Sequence, residues 1–251
     1  MKRNRPTSPA RLDGVDLLRG IAIVMMIAYH FCFDLVLFRW AAWPMLADLR
    51  WIAWRSVILS SFLLIAGISL ALRQQFRPGW SDFWRRWVQL AGAALLVTLG
   101  SAWMFPRTFI YFGVLHHLAL MLIVARLMQP LGLWNAAIGA LVVVLGNTVG
   151  FAAMNPKWIN WIGLITQKPY TEDYVPIFPW FGVLLIGMAL GQFWRARQFA
   201  VPGFARRLRA VLPNAVDRGL TTLGRWSLTT YLVHQPILIG LLWLEIGRAH
   251  V

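Results

Sequence analysis

One cysteine, Cys32, stands in 251 residues, so no internal disulfide can form and a disulfide-stapled secreted module is excluded. Charge is scarce too. Asp, Glu, Lys and Arg make up 13% of the chain, against about 25% in soluble domains. Only nine residues are acidic. Intrinsic disorder demands the opposite balance, few apolar residues and much charge. With 20 glycines and no G-x-y period, a collagen-like rod is excluded as well. There is no internal repeat, no low-complexity tract, no Gly-rich phosphate loop, and neither an HExxH nor a GxSxG motif.

What the chain has instead is apolar length. Hydrophobic residues make 59% of it, with 15 Trp and a mean hydropathy of +0.61. Charge-free runs cover 20–33, 56–72, 87–106, 108–125, 127–156, 175–194 and 226–244. A helix needs about 20 mostly apolar residues to cross about 30 Å of hydrocarbon. These runs predict an all-α, polytopic transmembrane bundle of about seven spans, at 17–38, 52–72, 87–105, 108–126, 133–154, 175–194 and 226–244. The two-residue alternation of a β-barrel is absent. One domain over 1–245 accounts for the whole pattern.

The +15 formal charge looks like a nucleic-acid signature until its placement is read. With the N-terminus cytoplasmic, Lys2, Arg3, Arg5, Arg11, Arg73, Arg77, Arg85, Arg86 and Arg126 lie inside. So do Arg195, Arg197, Arg206, Arg207, Arg209, Arg218 and Arg225. That makes 16 inside against five outside: Arg39, Arg50, Arg107, Lys157 and Lys168. The asymmetry follows the positive-inside rule, which sets the orientation and removes the case for nucleic acid. Membrane lipid becomes the expected partner, and the basic loops suit anionic lipid or an anionic cytosolic cofactor.

No small-x-small cleavage site follows the basic start, so the first apolar stretch reads as a retained span. The last six residues, 246–251, spell IGRAHV, which one reading frame of a common sequencing adapter encodes. They are expected to be an assembly artefact and carry no functional weight.

Ionisable side chains within spans are costly in lipid and therefore informative. The first span reads DGVDLLRGIAIVMMIAYHFCFDL. Eleven residues separate Arg19 from His30, which returns the helix to within about 20° and advances it about 16 Å. Asp16 precedes Arg19 by three residues and Asp34 follows His30 by four, so the four share one stripe. That stripe is expected to face the bundle interior or a wet cleft. Asp34 is placed to orient or charge His30 as a carboxylate does for a catalytic imidazole. The plainer alternative makes Asp16 and Arg19 an interfacial pair and His30 helix glue.

His116 and His117 lie in FGVLHHLAL, and a 100° divergence lets only one of them face a cleft. His234 lies in TTYLVHQPI, two residues before Pro236, whose ring frees a backbone carbonyl for polar neighbours such as Gln235. For each of these histidines a structural role competes with a catalytic one. No metal site is expected: adjacent histidines do not ligate from one helical face, and no acid follows at i+3 or i+4. Trp40, Trp43, Trp51, Trp54, Trp84, Trp87, Trp158, Trp161, Trp194 and Trp226 cluster near span ends, as an aromatic belt does. The long outer connection 155–174 suits a lid or substrate platform, and 195–225 suits an amphipathic surface helix.

Four stretches in order, DGVDLLRGIAIVMMIAYHF, SSFLLIAGISLAL, FIYFGVLHHLAL and IFPWFGVLLIGMALG, resemble the heparan-alpha-glucosaminide N-acetyltransferase catalytic-domain family, in its short bacterial branch. The likeness runs from about Arg11 to Trp243. It implies an integral membrane acetyltransferase, with acetyl-CoA on the cytosolic side and an amino-sugar or glycan acceptor on the far side. It also implies a bacterial inner membrane. Trp40 stands where the family's better-known members place a catalytic His before A-x-W. His30 stands at their Asn, and His117 at their Arg.

On this reading His30 is the base, Asp34 orients it, and His116 or His117 completes the site from a facing helix. Asp16 and Arg19 shape the cytosolic mouth, where Arg19 suits a phosphate or the thioester carbonyl. Two other functions remain open: a membrane O-acyltransferase of cell-envelope polysaccharide, and a proton-coupled transporter.

Overall fold

The computed structural model describes residues 13–74, 79–197 and 203–249. Expectations for Lys2, Arg3, Arg5, Arg11, Arg77 and 250–251 fall outside these, as do the side chains of Arg206 and Arg248. The described residues form nine α-helices: α1 (Asp13–Leu37), α2 (Leu49–Arg73), α3 (Trp80–Met104), α4 (Val114–Met128), α5 (Trp134–Thr148), α6 (Ile177–Ala196), α7 (Gly203–Val211), α8 (Asn214–Arg225) and α9 (Ser227–Ala249). Six segments, in α1, α2, α3, α4, α6 and α9, are long and apolar enough to cross a membrane. The helix α5 is apolar but has 15 residues, about 22 Å of rise. A polytopic bundle of about seven spans is therefore the architecture.

Two spans are shorter than the hydropathy runs predict. The run at 108–126 becomes helical only at Val114, because the residues before it bond to another segment. Thr108 O accepts from Glu172 N at 2.9 Å, and Phe112 O accepts from Val175 N at 3.0 Å. Backbone groups already paired across a loop gain nothing from helix formation. The run at 133–154 leaves the helix after Thr148, where Phe151 N donates to Leu164 O at 2.9 Å.

The most buried span, α6, is the centre of the bundle, packed mainly against α2 and α5. Glycine brings α2 and α6 together: a Cβ on Gly67 would lie 2.1 Å from Leu184 O. Close backbone approach through small residues is how helices associate in lipid, where apolar burial between them has no water to escape. Around this contact Leu63, Met121, Leu184, Leu185 and Met188 form the main core. By contrast, α3 and α9 turn broad apolar faces outward, with Leu95, Leu99, Trp103, Ile237, Leu241 and Trp243 all exposed.

The basic connection 195–225 holds two short helices rather than one. Of these, α8 is docked on α1: a Cβ on Gly224 would fall 1.8 Å from Asp16 O, and one on Gly20 1.9 Å from Leu220 O. Arg225 pairs with Asp13 at 2.9 Å, while Arg209 bridges Asp217 at 2.9 Å and Asp13 at 3.8 Å. The segment that leads into α9 is thereby tied to the first turn of α1.

Candidate active site

The ionisable stripe of α1 faces protein along its length. At the basic end of the bundle, Arg19 Nη1 donates to Asp16 Oδ1 at 2.7 Å and to Gly224 O at 3.3 Å, and Nη2 donates to Ser69 Oγ at 2.8 Å. This guanidinium braces α1, α2 and α8 from one point. The Asp16 and Arg19 side chains are 14% and 18% exposed, so the pair is mostly enclosed.

Higher on the stripe, His30 meets α9. Its ring centre is 5.0 Å from that of His234, with the planes at 64°. His30 is half-buried and also packs edge-on against Tyr29, at 6.0 Å. His234 Nδ1 lies 2.7 Å from Tyr231 O. A carbonyl only accepts, so Nδ1 carries the proton and Nε2 the lone pair. That Nε2 is buried with no hydrogen-bond partner among the described residues.

Asp34 does not orient His30, contrary to the spacing argument. Its fully buried carboxylate turns to α9, where Oδ1 accepts from Gln235 Nε2 at 2.6 Å. Helical spacing brings two side chains to one face but does not decide which neighbour they bond. Gln235 offers an N–H donor across the interface. Among the described residues, Oδ2 of Asp34 and Oε1 of Gln235 have no hydrogen-bond partner, so with His234 Nε2 this α1–α9 interface carries three orphan polar atoms.

His116 and His117 diverge as their adjacency requires, and their hydrogen bonds do not run to His30. His116 Nε2 is 2.8 Å from Thr98 Oγ1, and Thr98 passes its own proton to Ile110 O at 2.9 Å. The imidazole must therefore donate through Nε2, while Nδ1 accepts from Gly113 N at 3.3 Å. Both nitrogens are engaged. The ring lines an apolar groove of about 340 Å³ between α3 and α4, with Trp87, Leu95 and Phe112. His117 is fully buried; its Nδ1 bonds Val175 O at 3.2 Å, which leaves Nε2 as an acceptor without a partner among the described residues. Among the described residues no three His, Cys, Asp or Glu side chains converge as a metal site.

The end of the bundle opposite the basic loops adds Arg55 and gives Asp173, in the expected lid segment 155–174, a definite partner. The segment 171–175 is stitched to 108–112, and Asp173 Oδ2 accepts from Val114 N at 2.9 Å, capping α4 from a distance. Burial pushes the Asp173 carboxyl up, against the pull of that N–H, Arg55 and Lys168. Burial and then Arg55 push the Lys168 ammonium down, while Asp173 raises it. Arg55 therefore belongs to the same mouth. Its signal in the sequence was plain, a cation inside the outer end of a span, but it borders the run that was read as uncharged. The outer connection is itself anchored: Tyr174 Oη donates to Asn160 O at 2.6 Å and Tyr111 Oη to Asn160 Oδ1 at 3.0 Å. It is a fixed cover over this end rather than a loose strap.

This helical bundle has a counterpart among known families. The family described as heparan-alpha-glucosaminide N-acetyltransferase, catalytic, matches residues 11–236. The chain belongs to this family. Membership in the heparan-alpha-glucosaminide N-acetyltransferase catalytic family suggests a multi-pass membrane acetyltransferase. No curated protein and no solved structure matches the chain. The family match takes in α1 through Pro236, so both histidines of the pair fall within it.

Proposed function

We propose that the protein sits in a bacterial inner membrane and moves an acetyl group from cytosolic acetyl-CoA to an extracytoplasmic amino sugar or glycan. The observation that carries the reading is the His30–His234 contact within the matched region. A base is needed to take a proton from the acceptor amine as nitrogen attacks the thioester carbonyl. The C–N bond forms, the C–S bond breaks, and the proton returns from the imidazole to the departing CoA thiolate.

His30 is the first candidate for that base, because it is half-buried and retains access. The His234 lone pair beside it provides a second proton-accepting atom. Asp34, bonded to Gln235, holds α1 and α9 in register one turn further out. Asp16 and Arg19 stand at the cytosolic mouth, where Arg19 keeps a fixed positive charge suited to the phosphates of the donor. From α4, His117 keeps an Nε2 without a partner among the described residues, whereas both nitrogens of His116 are engaged, so His117 is the candidate of the two.

Purified protein in nanodiscs, supplied with acetyl-CoA and glucosamine, is expected to release CoA. The His30→Ala variant should lose about 10²–10⁴-fold of that rate. Unimpaired turnover would remove His30 from the mechanism. Proton-coupled solute uptake by proteoliposomes lacking CoA, with no thermal stabilisation by CoA, would favour the transporter reading.

A further inference from the structure

Three indoles stand in a stack at the end of the bundle opposite the basic loops. Trp43, in the connection between α1 and α2, lies 5.6 Å from Trp51 with planes 27° apart, and Trp51 repeats that distance and angle with Trp54. Trp51 and Trp54 touch Tyr29 edge-on at 6.1 and 5.5 Å, and Tyr29 touches His30 at 6.0 Å. The stack therefore begins at the rim and ends two ring contacts from the candidate base.

An aromatic belt explains isolated Trp side chains at headgroup level, but it requires neither face-to-face stacking nor a path inward. This platform is also held in place. Met45, two residues after Trp43, is 3% exposed and packs with Met26, Tyr29 and Ile58, and its N–H bonds Trp43 O at 2.9 Å. Asp48 then caps α2 by accepting from Arg50 N at 2.8 Å. Trp43 is nonetheless 41% exposed, so the end of the stack is presented on a pinned loop.

We infer that the exposed ring of Trp43, with Trp51 stacked behind it, forms a sugar-stacking subsite for the unit adjoining the one acetylated. The chemistry is the packing of a pyranose C–H face on the electron-rich face of an indole. It rests on the proposed acetyl transfer for the identity of the neighbouring site, but binding alone can test it. Affinities of glucosamine and its β-1,4-linked trimer are measured by calorimetry on the full chain in nanodiscs without acetyl-CoA.

The trimer is expected to bind about tenfold more tightly than the monomer. Trp43→Ala should abolish that ratio, and Trp43→Tyr should keep most of it. Equal affinities in the wild type, absence of trimer binding, or a ratio that survives Trp43→Ala would overturn the subsite. A preserved ratio in a protein that never releases CoA would leave the subsite standing and overturn acetyl transfer instead.

Discussion

The imidazoles of His30 and His234 meet edge to face at 5.0 Å, although 204 positions separate them in the chain. The contact is set at the far end of α1, where Gly20 and Gly224 allow the backbones to touch. From that point the chain rises beside α1 by the same number of residues, ten on each side, to reach the two rings. One stripe on the first span therefore becomes one interface with the last.

If that contact serves proton handling, the ring shape of His234 matters less than its nitrogen. The His234→Phe variant is expected to keep its melting temperature within a few degrees and to lose acetyl transfer by about 10²-fold or more. Turnover and thermal unfolding, measured on one detergent preparation, check both halves.

Gln235 is the sole hydrogen-bond partner of the Asp34 carboxylate among the described residues. Gln235→Leu leaves that buried group without a donor and should cost about 1–3 kcal/mol. The cost should shrink when Asp34→Asn is added, because the unpaired charge is then gone. A double-mutant cycle by thermal unfolding reads the coupling.

Gly224 has no room for a side chain, with Asp16 O 1.8 Å from where a Cβ would sit. Gly224→Ala is expected to lift α8 from α1 at a cost of about 1–3 kcal/mol. It should also release Arg19 from Gly224 O. Gly219→Ala, in open space on the same helix, serves as the control and should hold or slightly raise the melting temperature.

Asp173 joins two effects of opposite sign. Its folded carboxyl is raised, so the native state holds the proton more tightly than the unfolded chain. The stability this brings is complete below the unfolded pKa of about 3.9 and is lost as pH rises through the folded value. An amide oxygen can still accept from Val114 N, so Asp173→Asn should match the wild type in acid and gain on it as pH rises. Asp173→Ala removes the cap and should lose about 1–3 kcal/mol in acid, a deficit that narrows as pH rises and the wild type ionises. Melting temperatures of the three proteins across about pH 3–8, which brackets that unfolded pKa, decide the matter.

Much of the fold follows from local composition. Charge-free runs located the spans because a membrane accepts only long apolar helices, and that constraint acts on each segment separately. The late start of α4 and the early end of α5 escaped this reading, since in both places backbone partners come from the distant outer connection. The stripe of Asp16, Arg19, His30 and Asp34 was legible for the same local reason, the 100° step of a helix.

What the stripe touches was not legible. The spacing argument joined Asp34 to His30, whereas the carboxylate bonds Gln235, and His234 rather than His116 faces His30. Arg55 went unnoticed, and Asp173 was visible only as part of an expected lid, because nothing in the chain indicates that α2 and the outer connection share a mouth.

The sequence by itself determined that the protein spans a membrane, which end is basic, and which face of the first helix is polar. Those properties depend on hydropathy, charge and helical period, all of which act over a few turns. Only the tertiary structure decided that α9 closes over that face and sets His234 against His30. The order of helices around a bundle depends on where backbones can touch, here at Gly20 and Gly224, and such a contact between distant glycines leaves no periodic trace in either segment.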